Sequence, residues 1–303
     1  MQRALLVVNT KAGSYSPRNL DLAAGALSAE VELQVGITTG RDHATELARA
    51  AVESGFDAVV SLGGDGTLNE VAQPLVGTGV ALGVLPGGQT NVMARSLGIP
   101  TDLSKAAALV AASLRTRTTR RLNVGQAGAR YFLVAAGMGL DAEVIKRAEA
   151  DPEGKRRWGE WSFLSKALRT GGDYRRRSAS MTVVADGRSE RVVFAICANV
   201  RPLTYFKRWG VDALPLARLD AGLDVIGLTR VTTGTIPRLA WAVFVSRSTP
   251  RWETSRYFHD VIEARFTADE PMPVEVDGDY IGERTEVPLR LVPEALDVIV
   301  PER

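Results

Sequence analysis

The chain has 303 residues, 45% of them hydrophobic and 24% charged, with a formal net charge of +2. This length predicts two domains, and the composition excludes a disordered or strongly acidic or basic chain. A single cysteine, Cys197, excludes an internal disulfide and fits a reducing compartment, so we expect a cytoplasmic protein. No apolar run approaches the roughly 20 residues that span a bilayer, and the apolar stretch at 4–9 is too short for a secretory leader.

Strands and helices alternate over the first 120 residues. Predicted strands cover 4–9, 31–37, 57–62 and 80–85, and predicted helices cover 17–30, 42–54, 67–76, 91–97 and 102–114. In the helix at 67–76, apolar residues recur with a spacing of three or four, which places them on one face. This alternation predicts a parallel sheet with helices on both faces.

Two glycine-rich loops follow two of these strands, at 61–70 (SLGGDGTLNE) and 85–91 (LPGGQTN). Glycines let a backbone approach phosphates closely, and a helix N-terminus presents free N–H groups to an anion. Because parallel strands bind ligands at their C-terminal edge, both loops are expected at one such edge. Thr67 and Glu70 also have the spacing of a capping box, which predicts a helix start at this loop. Either loop alone is equally explained as a glycine turn with an ordinary cap.

Beyond residue 120 the pattern changes to short strands joined by turns such as 186–187 and 277–278. Predicted strands cover 121–127, 130–137, 180–187, 190–198, 223–230, 257–267, 272–277 and 286–292, and predicted helices cover 140–150, 158–170 and 235–246. The sequence therefore predicts a second domain built on a β-sandwich.

Four motifs in a fixed order give the chain a resemblance to the diacylglycerol kinase catalytic-domain family. They are 63–67 (GGDGT), 85–91 (LPGGQTN) with Ala94-Arg95, 139–142 (GLDA) and 276–279 (VDGD). That family includes bacterial lipid kinases and sphingosine kinases and is distantly related to NAD kinases and 6-phosphofructokinases. The resemblance implies an NAD kinase-like α/β nucleotide-binding domain at 1–120 and a β-sandwich substrate domain at 121–293. It also implies that residues 294–303 pack back on the first domain.

The resemblance implies that ATP and Mg²⁺ bind to the loops of the first domain. The implied nucleotide-binding residues are Asn9, Thr10, Lys11, Thr39, Gly63, Gly64, Asp65, Gly66, Thr67, Gly88, Thr90 and Asn91. Asp65 is the expected metal ligand, because Mg²⁺ prefers charged oxygens. Two of these residues also have an interpretation that needs no nucleotide. Lys11 could be a solvated loop lysine, and Thr90 could be a helix N-cap.

Three aspartates, Asp65, Asp141 and Asp279, are the expected catalytic residues. Asp141 matches a family aspartate that supports the Mg²⁺–phosphate network, although on its own it is an acid near a helix N-terminus. Asp279 stands where the family usually has the glutamate of Asp-Gly-Glu, the proposed general base. An aspartate is shorter by one methylene but can also accept a hydroxyl proton. Without the other motifs, 277–279 would be interpreted as a hairpin turn.

The chain departs from the family pattern in two places. Val92 follows the second loop where many members have an aspartate, and we do not interpret this change as inactivating. Leu216 stands where some bacterial members have a carboxylate that holds a structural Mg²⁺. Because a hard cation needs charged oxygen ligands, the sequence predicts that this second metal site is absent.

Two segments of the chain could contact a lipid surface. Residues 146–177 are rich in Lys and Arg and could meet anionic headgroups, or form a solvated helix face. Residues 237–245 are apolar and flanked by arginines, which fits either contact with a membrane interface or packing in the core. The same two interpretations apply to the five tryptophans, Trp158, Trp161, Trp209, Trp241 and Trp252. We expect a lipid substrate, transient peripheral contact with the inner face of the membrane and no nucleic acid, and leave a homodimer open.

Three functions remain open at this point. The first is an ATP-dependent lipid kinase that phosphorylates the primary hydroxyl of diacylglycerol or a similar lipid. The second is a kinase of a soluble metabolite, such as an NAD kinase, which shares the GGDGT loop. The third is a non-catalytic nucleotide- or lipid-binding protein, which Val92, Leu216 and Asp279 keep open. The loop at 85–88 and the motif at 277–279 favour the lipid kinase.

Overall fold

The computed structural model describes residues 2–150, 179–206, 209–231 and 254–301. The helices predicted at 158–170 and 235–246, the apolar segment at 237–245 and most of the basic segment at 146–177 lie outside these residues, as do Trp158, Trp161, Trp241 and Trp252. The chain divides into two compact units: Met1–Val124 with Pro293–Arg303, and Gly125–Val292. Among the described residues, no helix combines the length and the apolar character needed to cross a bilayer.

The first unit contains a parallel sheet. Its strands are β1 (Arg3–Val8), β2 (Glu32–Ile37), β3 (Ala58–Gly63) and β4 (Ala81–Pro86), in the order β2-β1-β3-β4. Every residue of β3 and of β4 is buried. Continuous apolar runs of this kind are typical of parallel strands that are covered on both faces.

The helices of the first unit connect and cover these strands. They are α1 (Pro17–Ser28), α2 (His43–Glu53), α3 (Asp65–Ala72), α4 (Val92–Ser96) and α5 (Leu103–Thr116). Two of them begin with a side-chain cap: Ser16 accepts from Asn19 N–H at the start of α1, and Asp102 from Lys105 N–H at the start of α5. These local signals agree with the helix starts that the sequence predicts.

The capping box predicted at Thr67 and Glu70 is wrong. Helix α3 begins earlier, at Asp65, with Gly64 as an N-cap that makes no side-chain hydrogen bond. Thr67 Oγ1 instead accepts a hydrogen bond from Asn9 Nδ2 at 2.9 Å, and Glu70 Oε2 accepts one from Ala44 N in the first turn of α2 at 3.2 Å. Both side chains are used in tertiary contacts, so the local spacing did not decide the helix start.

The C-terminal segment of the first unit runs beside β4. The last strand, β16 (Asp279–Ile299), begins in the second unit, and its residue Val298 pairs in parallel with Leu82 of β4. Ser113 Oγ in α5 donates to Val300 O at 2.9 Å, and Gly77 N donates to Ala295 O at 2.7 Å. These bonds fix the segment on the strand and on a helix.

The second unit is rich in β-structure. Its other elements are β5 (Thr119–Ala127), which starts in the first unit, β6 (Arg130–Phe132), β7 (Ala135–Met138), α6 (Leu140–Glu149), β8 (Met181–Ala185), β9 (Arg188–Val192), β10 (Phe194–Ala198), β11 (Thr204–Phe206), β12 (Trp209–Val211), β13 (Leu223–Leu228), β14 (Ser255–Val261) and β15 (Glu263–Val276). Strands β14-β13-β10-β7-β15 pair in that order, all antiparallel. Strands β8 and β9 form a hairpin on β15. Phe132, Met138, Met181, Phe258 and Phe266 fill the core.

The fold class predicted from the sequence is confirmed: an α/β region with parallel strands is followed by a β-rich region. The strand boundaries near the C-terminus differ from the prediction. The strand predicted at 257–267 is interrupted at Ile262, and β15 then continues through the segment predicted as a separate strand at 272–277. Strand β15 extends this far because it pairs with β8 over residues 264–268 and with β7 over residues 274–276.

Candidate functional site

The two glycine loops of the first unit lie against each other at the C-terminal ends of β3 and β4. Gly87 N donates to Gly63 O at 2.8 Å. A Cβ at Gly87 would lie 2.9 Å from Gly63 Cα, and one at Gly88 would lie 2.7 Å from Gly64 Cα. Both distances are to backbone atoms, which cannot rotate away, so these positions require glycine. The two loops therefore form one continuous backbone surface.

The loop after β1 is fixed to both glycine loops. Asn9 N donates to Leu62 O at 3.1 Å, and its amide contacts Thr67, as described above. Asn9 Oδ1 accepts from Lys11 N at 2.9 Å, and Ser14 Oγ donates to Gly87 O at 2.7 Å. Asn9 thus has a structural role in arranging the loops, while Lys11 is an exposed residue beside them.

Asp65 connects the two glycine loops through its carboxylate. Its Oδ2 accepts a hydrogen bond from Thr90 Oγ1 at 2.8 Å, and its Oδ1 accepts one from Met93 N at 3.3 Å. The alternative interpretation of Thr90 as a helix N-cap is wrong, because the N-cap of α4 is Asn91. Asn91 adopts a left-handed conformation with φ of 46° and bonds through its amide to both N and O of Gly88.

Thr39 lies just beyond the end of β2. Its backbone N–H donates to His43 Nδ1 at 3.0 Å, and its hydroxyl lies 3.0 Å from the same nitrogen. Because Nδ1 accepts from the backbone, the ring proton is on Nε2. His43 is the first residue of α2 and was not predicted as a site residue.

The arrangement around Asp65 fits a metal ion that is shared with phosphate oxygens. A carboxylate offers about four lone-pair positions, and the bonds to Thr90 and Met93 use two of them. Mg²⁺ usually binds to one or two carboxylates, substrate phosphates and several waters. Within the described ranges, no group of three or more His, Cys, Asp or Glu residues could hold a metal by itself. Asp65 would therefore hold Mg²⁺ only together with phosphates and water.

In the second unit, Asp277 fixes the turn that carries Asp279. The carboxylate of Asp277 accepts backbone N–H bonds from Leu133 at 2.8 Å, from Val134 at 2.9 Å and from Ala135 at 3.0 Å. Asp277 is itself left-handed, with φ of 50°. These three bonds fix the Asp277 carboxylate to the backbone, so Asp277 holds the turn in place.

Asp279, the expected general base, forms an ion pair with Arg130. Asp279 Oδ2 accepts from Arg130 Nη2 at 2.6 Å, and the two side chains are 27% and 21% exposed. The pair is half-buried, so solvent screens it less than it would a surface pair. Arg130 was not predicted as a site residue, because nothing local in the sequence connects it to a residue so distant in the chain.

Asp141 lies next to a second buried carboxyl group, that of Glu275. Gly137 of β7 is directly opposite Glu275 of β15, and a Cβ at Gly137 would lie 1.6 Å from Asp141 Oδ2. The carboxyl of Asp141 therefore occupies the space of the side chain that would face Glu275 across the strands. Burial raises the pKa of Asp141 to about 7. Burial and the neighbouring charge of Asp141 raise the pKa of Glu275 well above its ordinary value.

Glu275 was not predicted as a site residue, although the sequence contains a signal. It is the only charged residue in the apolar stretch 272–276 (MPVEV), and it is 5% exposed in the structure. A carboxylate in a buried strand is costly unless it is bonded or shares a proton. Such a residue is a candidate for function on that ground alone.

Near Leu216, polar side chains form hydrogen bonds with one another. Leu216 is 48% exposed. The fully buried Asp224 bonds to Tyr257 Oη, to His259 Nδ1 at 2.8 Å and to Asp260 N at 3.1 Å. Burial and the bond to Asp224 raise the pKa of Tyr257. The absence of a second metal site here stays a prediction.

Comparison with known proteins agrees with the two glycine-loop motifs of the first unit. Residues 3–127 match the diacylglycerol kinase catalytic domain. The matched residues contain both glycine loops and make up less than half of the chain. The chain is 35% identical over 149 residues to a diacylglycerol kinase of Bacillus subtilis, covering 48% of each chain. It is 32% identical over 152 residues to the "Probable lipid kinase YegS-like" of Pseudomonas syringae, covering 50% of this chain and 48% of that protein.

These matches span about half the length of the two curated relatives. A crystal structure of a diacylglycerol kinase from Bacillus anthracis matches over 99% of this chain and 97% of that one, with a TM-score of 0.75 and 22% identity. This likeness shows that the fold is the same. The resemblance predicted from the sequence is thus confirmed, and the match to a kinase family supports a phosphotransferase.

Proposed function

We propose that this protein is an ATP-dependent lipid kinase that transfers the γ-phosphate to a lipid hydroxyl, with diacylglycerol as the first acceptor to test. The observation that carries the proposal is the carboxylate of Asp65, which bonds to the second glycine loop from the first turn of α3. Relatives named diacylglycerol kinase and lipid kinase support a lipid as the acceptor.

The loops of the first unit can supply what phosphoryl transfer needs, namely positioning and charge neutralisation. The first turn of α3 offers N–H groups and the positive end of a helix dipole next to Gly63 and Gly64. Asp65 would hold Mg²⁺ beside these N–H groups. When bound, Mg²⁺ would neutralise negative charge on the β- and γ-phosphate oxygens.

In the proposed step, the hydroxyl oxygen of the lipid forms a bond to the γ-phosphorus. The bond between the γ-phosphorus and the β–γ bridging oxygen breaks, and ADP leaves. The hydroxyl proton passes to the carboxylate of Asp279. Arg130 bonds to Oδ2 of that carboxylate, which orients Oδ1 as the accepting atom. Asp141 supports the acceptor side of the reaction from within the second unit.

A kinase of membrane lipids must reach the surface of a bilayer. We propose transient peripheral contact with the inner face of the cytoplasmic membrane, with the lipid as the partner. Sedimentation with vesicles of neutral and of anionic composition measures this contact, and binding to anionic vesicles that falls with added salt is the expected result. The absence of binding to either vesicle would contradict it.

The experiment that tests the function is a transfer assay from γ-labelled ATP with Mg²⁺ to lipids in mixed micelles. The panel contains diacylglycerol, monoacylglycerol, sphingosine, ceramide and phosphatidylglycerol. We expect the wild type to label a lipid. The rate of transfer should fall by about 100-fold or more in Asp65→Asn and stay unchanged in the matched control Asp21→Asn. Asp21 is an exposed residue of α1.

Two results would overturn the proposal. If the wild type labels no lipid but forms NADP from NAD, the protein is a kinase of a soluble metabolite. If calorimetry shows that ATP binds and no acceptor is labelled, the protein is a non-catalytic binding protein.

A further inference from the structure

Glu275, which forms a buried carboxyl pair with Asp141, is hydrogen-bonded to the turn that carries Asp279. Glu275 Oε2 accepts a hydrogen bond from Gly278 N, the central residue of residues 277–279, at 2.8 Å. The bonds from residues 133–135 hold Asp277 at the start of the same turn. The position of Asp279 thus depends on two carboxylates: that of Asp277, which accepts three backbone N–H bonds, and that of Glu275, which lies next to Asp141.

The pair of Asp141 and Glu275 is compact and poorly neutralised. The carboxyl of Asp141 fills the space at Gly137 opposite Glu275, and the buried Oδ1 of Asp141 has no hydrogen-bond partner among the residues that the structure describes. Two like charges placed side by side in a buried region cannot both be ionised at low cost, so such carboxyls share a proton. A shared proton would also give a hydrogen to an oxygen that otherwise has no donor.

Other charged groups near Glu275 increase this effect. Asp277 and Asp279 raise the pKa of Glu275 further, after the larger effects of burial and Asp141. Tyr280 of β16 pairs in register with Glu275, and Lys146 of α6 lies over the ring of Tyr280. Cations near this group bond elsewhere among the described residues: Arg130 to Asp279, and Lys146 to Glu283 at 2.8 Å.

We propose that Asp141 and Glu275 share one proton and, as a pair, position the turn of residues 277–279 for phosphoryl transfer. This inference rests on the proposed function. Glu275 is a positioning residue, which acts on Asp279 through the backbone N–H of Gly278. While the pair carries a negative charge, its hydrogen bond to Gly278 N is charge-assisted and therefore stronger.

The pair makes transfer sensitive to pH near neutrality. When a second proton binds on the acid side, the pair becomes neutral and its bond to Gly278 N weakens. Because the pKa of Asp141 is raised to about 7, this change is expected just below neutral pH. The two ionisations belong to the pair rather than to either residue.

The test compares the pH dependence of kcat in the wild type, in Glu275→Gln and in the matched control Glu263→Gln. Glu263 lies on the same strand, β15, and is exposed. A glutamine can still accept from Gly278 N but leaves Asp141 without a like-charged neighbour. Because glutamine carries no charge in this range, its bond to Gly278 N cannot weaken on the acid side, and we expect the acid limb just below neutral pH to be lost in Glu275→Gln only. A Glu275→Gln profile that coincides with the wild type would refute the proposal.

A second measurement separates this inference from the proposed function. The amide signal of Gly278 and the carboxyl carbons of Asp and Glu are followed by NMR against pH in the wild-type protein, without substrate. We expect the Gly278 signal and a carboxyl carbon to titrate together near pH 7, and to shift to lower pH in Asp141→Asn. A Gly278 signal that does not titrate in this range would refute the positioning role, whether or not the protein phosphorylates a lipid.

Discussion

Thr90 and Asp65 join the two glycine loops by a single hydrogen bond, from the hydroxyl of Thr90 to Oδ2 of Asp65, at 2.8 Å. The bond connects the residue that opens α3 to the loop that precedes α4. It therefore fixes the carboxylate in one rotamer, with its remaining lone pairs available for a metal. The proposed phosphate cradle would therefore be preorganised before any ligand binds.

Removal of this hydroxyl is expected to loosen the cradle. Thr90→Val keeps the shape of the side chain but leaves Oδ2 of Asp65 without the Thr90 donor, so we expect a loss of about 1 kcal/mol in the free energy of unfolding. We also expect a higher KM for ATP. Thr90→Ser keeps the hydroxyl and should stay close to the wild type in both measurements. Equal behaviour of the two variants would show that the hydrogen bond is unimportant.

Two glycines provide a matched test of the contact between the loops. In Gly88→Ala, the new Cβ would lie 2.7 Å from the backbone of Gly64, so the loops must move apart. We expect weaker ATP binding by calorimetry and lower stability. In Gly25→Ala, nothing lies within 4 Å and the residue is within α1, so we expect a gain of about 0.5–1 kcal/mol. Unchanged ATP binding in Gly88→Ala would contradict the cradle.

The role of Asp279 is tested by changing charge and length separately. Asp279→Asn removes the proton acceptor and the partner of Arg130, so we expect kcat to fall by about 100-fold or more while KM for ATP changes little. Asp279→Glu restores the residue that the family usually has and should keep most of the activity. Full activity in Asp279→Asn, measured in the lipid transfer assay, would exclude Asp279 as the acceptor.

Asp141 is expected to make stability depend on pH. Its pKa is raised from 3.8 to about 7 by burial, so the folded state binds the proton more tightly than the unfolded chain does. This contribution to stability is complete below pH 3.8 and is lost as the pH rises through about 7. Asp141→Asn should therefore gain stability relative to the wild type between pH 5 and pH 8, measured by urea unfolding. A pH-independent difference would contradict this assignment.

The sequence predicted the parts of the fold whose signals are local. The strands predicted at 57–62 and 80–85 correspond to the buried parallel strands β3 and β4, and the glycine loops after them meet as expected. The capping box failed because Thr67 and Glu70 bond to Asn9 and Ala44, residues that are adjacent only after folding. Arg130 was missed for the same reason, because its partner Asp279 is distant in the chain. Glu275 was missed although a charged residue in the apolar stretch 272–276 is a local signal.

The return of the C-terminal segment to β4 has a consequence for synthesis on the ribosome. Strand β4 leaves the ribosome early, whereas Val298, which pairs with it, leaves only after the whole second unit. Until then, the β4 edge presents unpaired backbone groups, which are open to wrong pairing. The second unit is contiguous and can fold first, although domains usually fold from the N-terminus onward. A nascent chain that stalls before residue 293 would therefore expose the β4 edge of the first unit. We expect such a chain to be a substrate for chaperones.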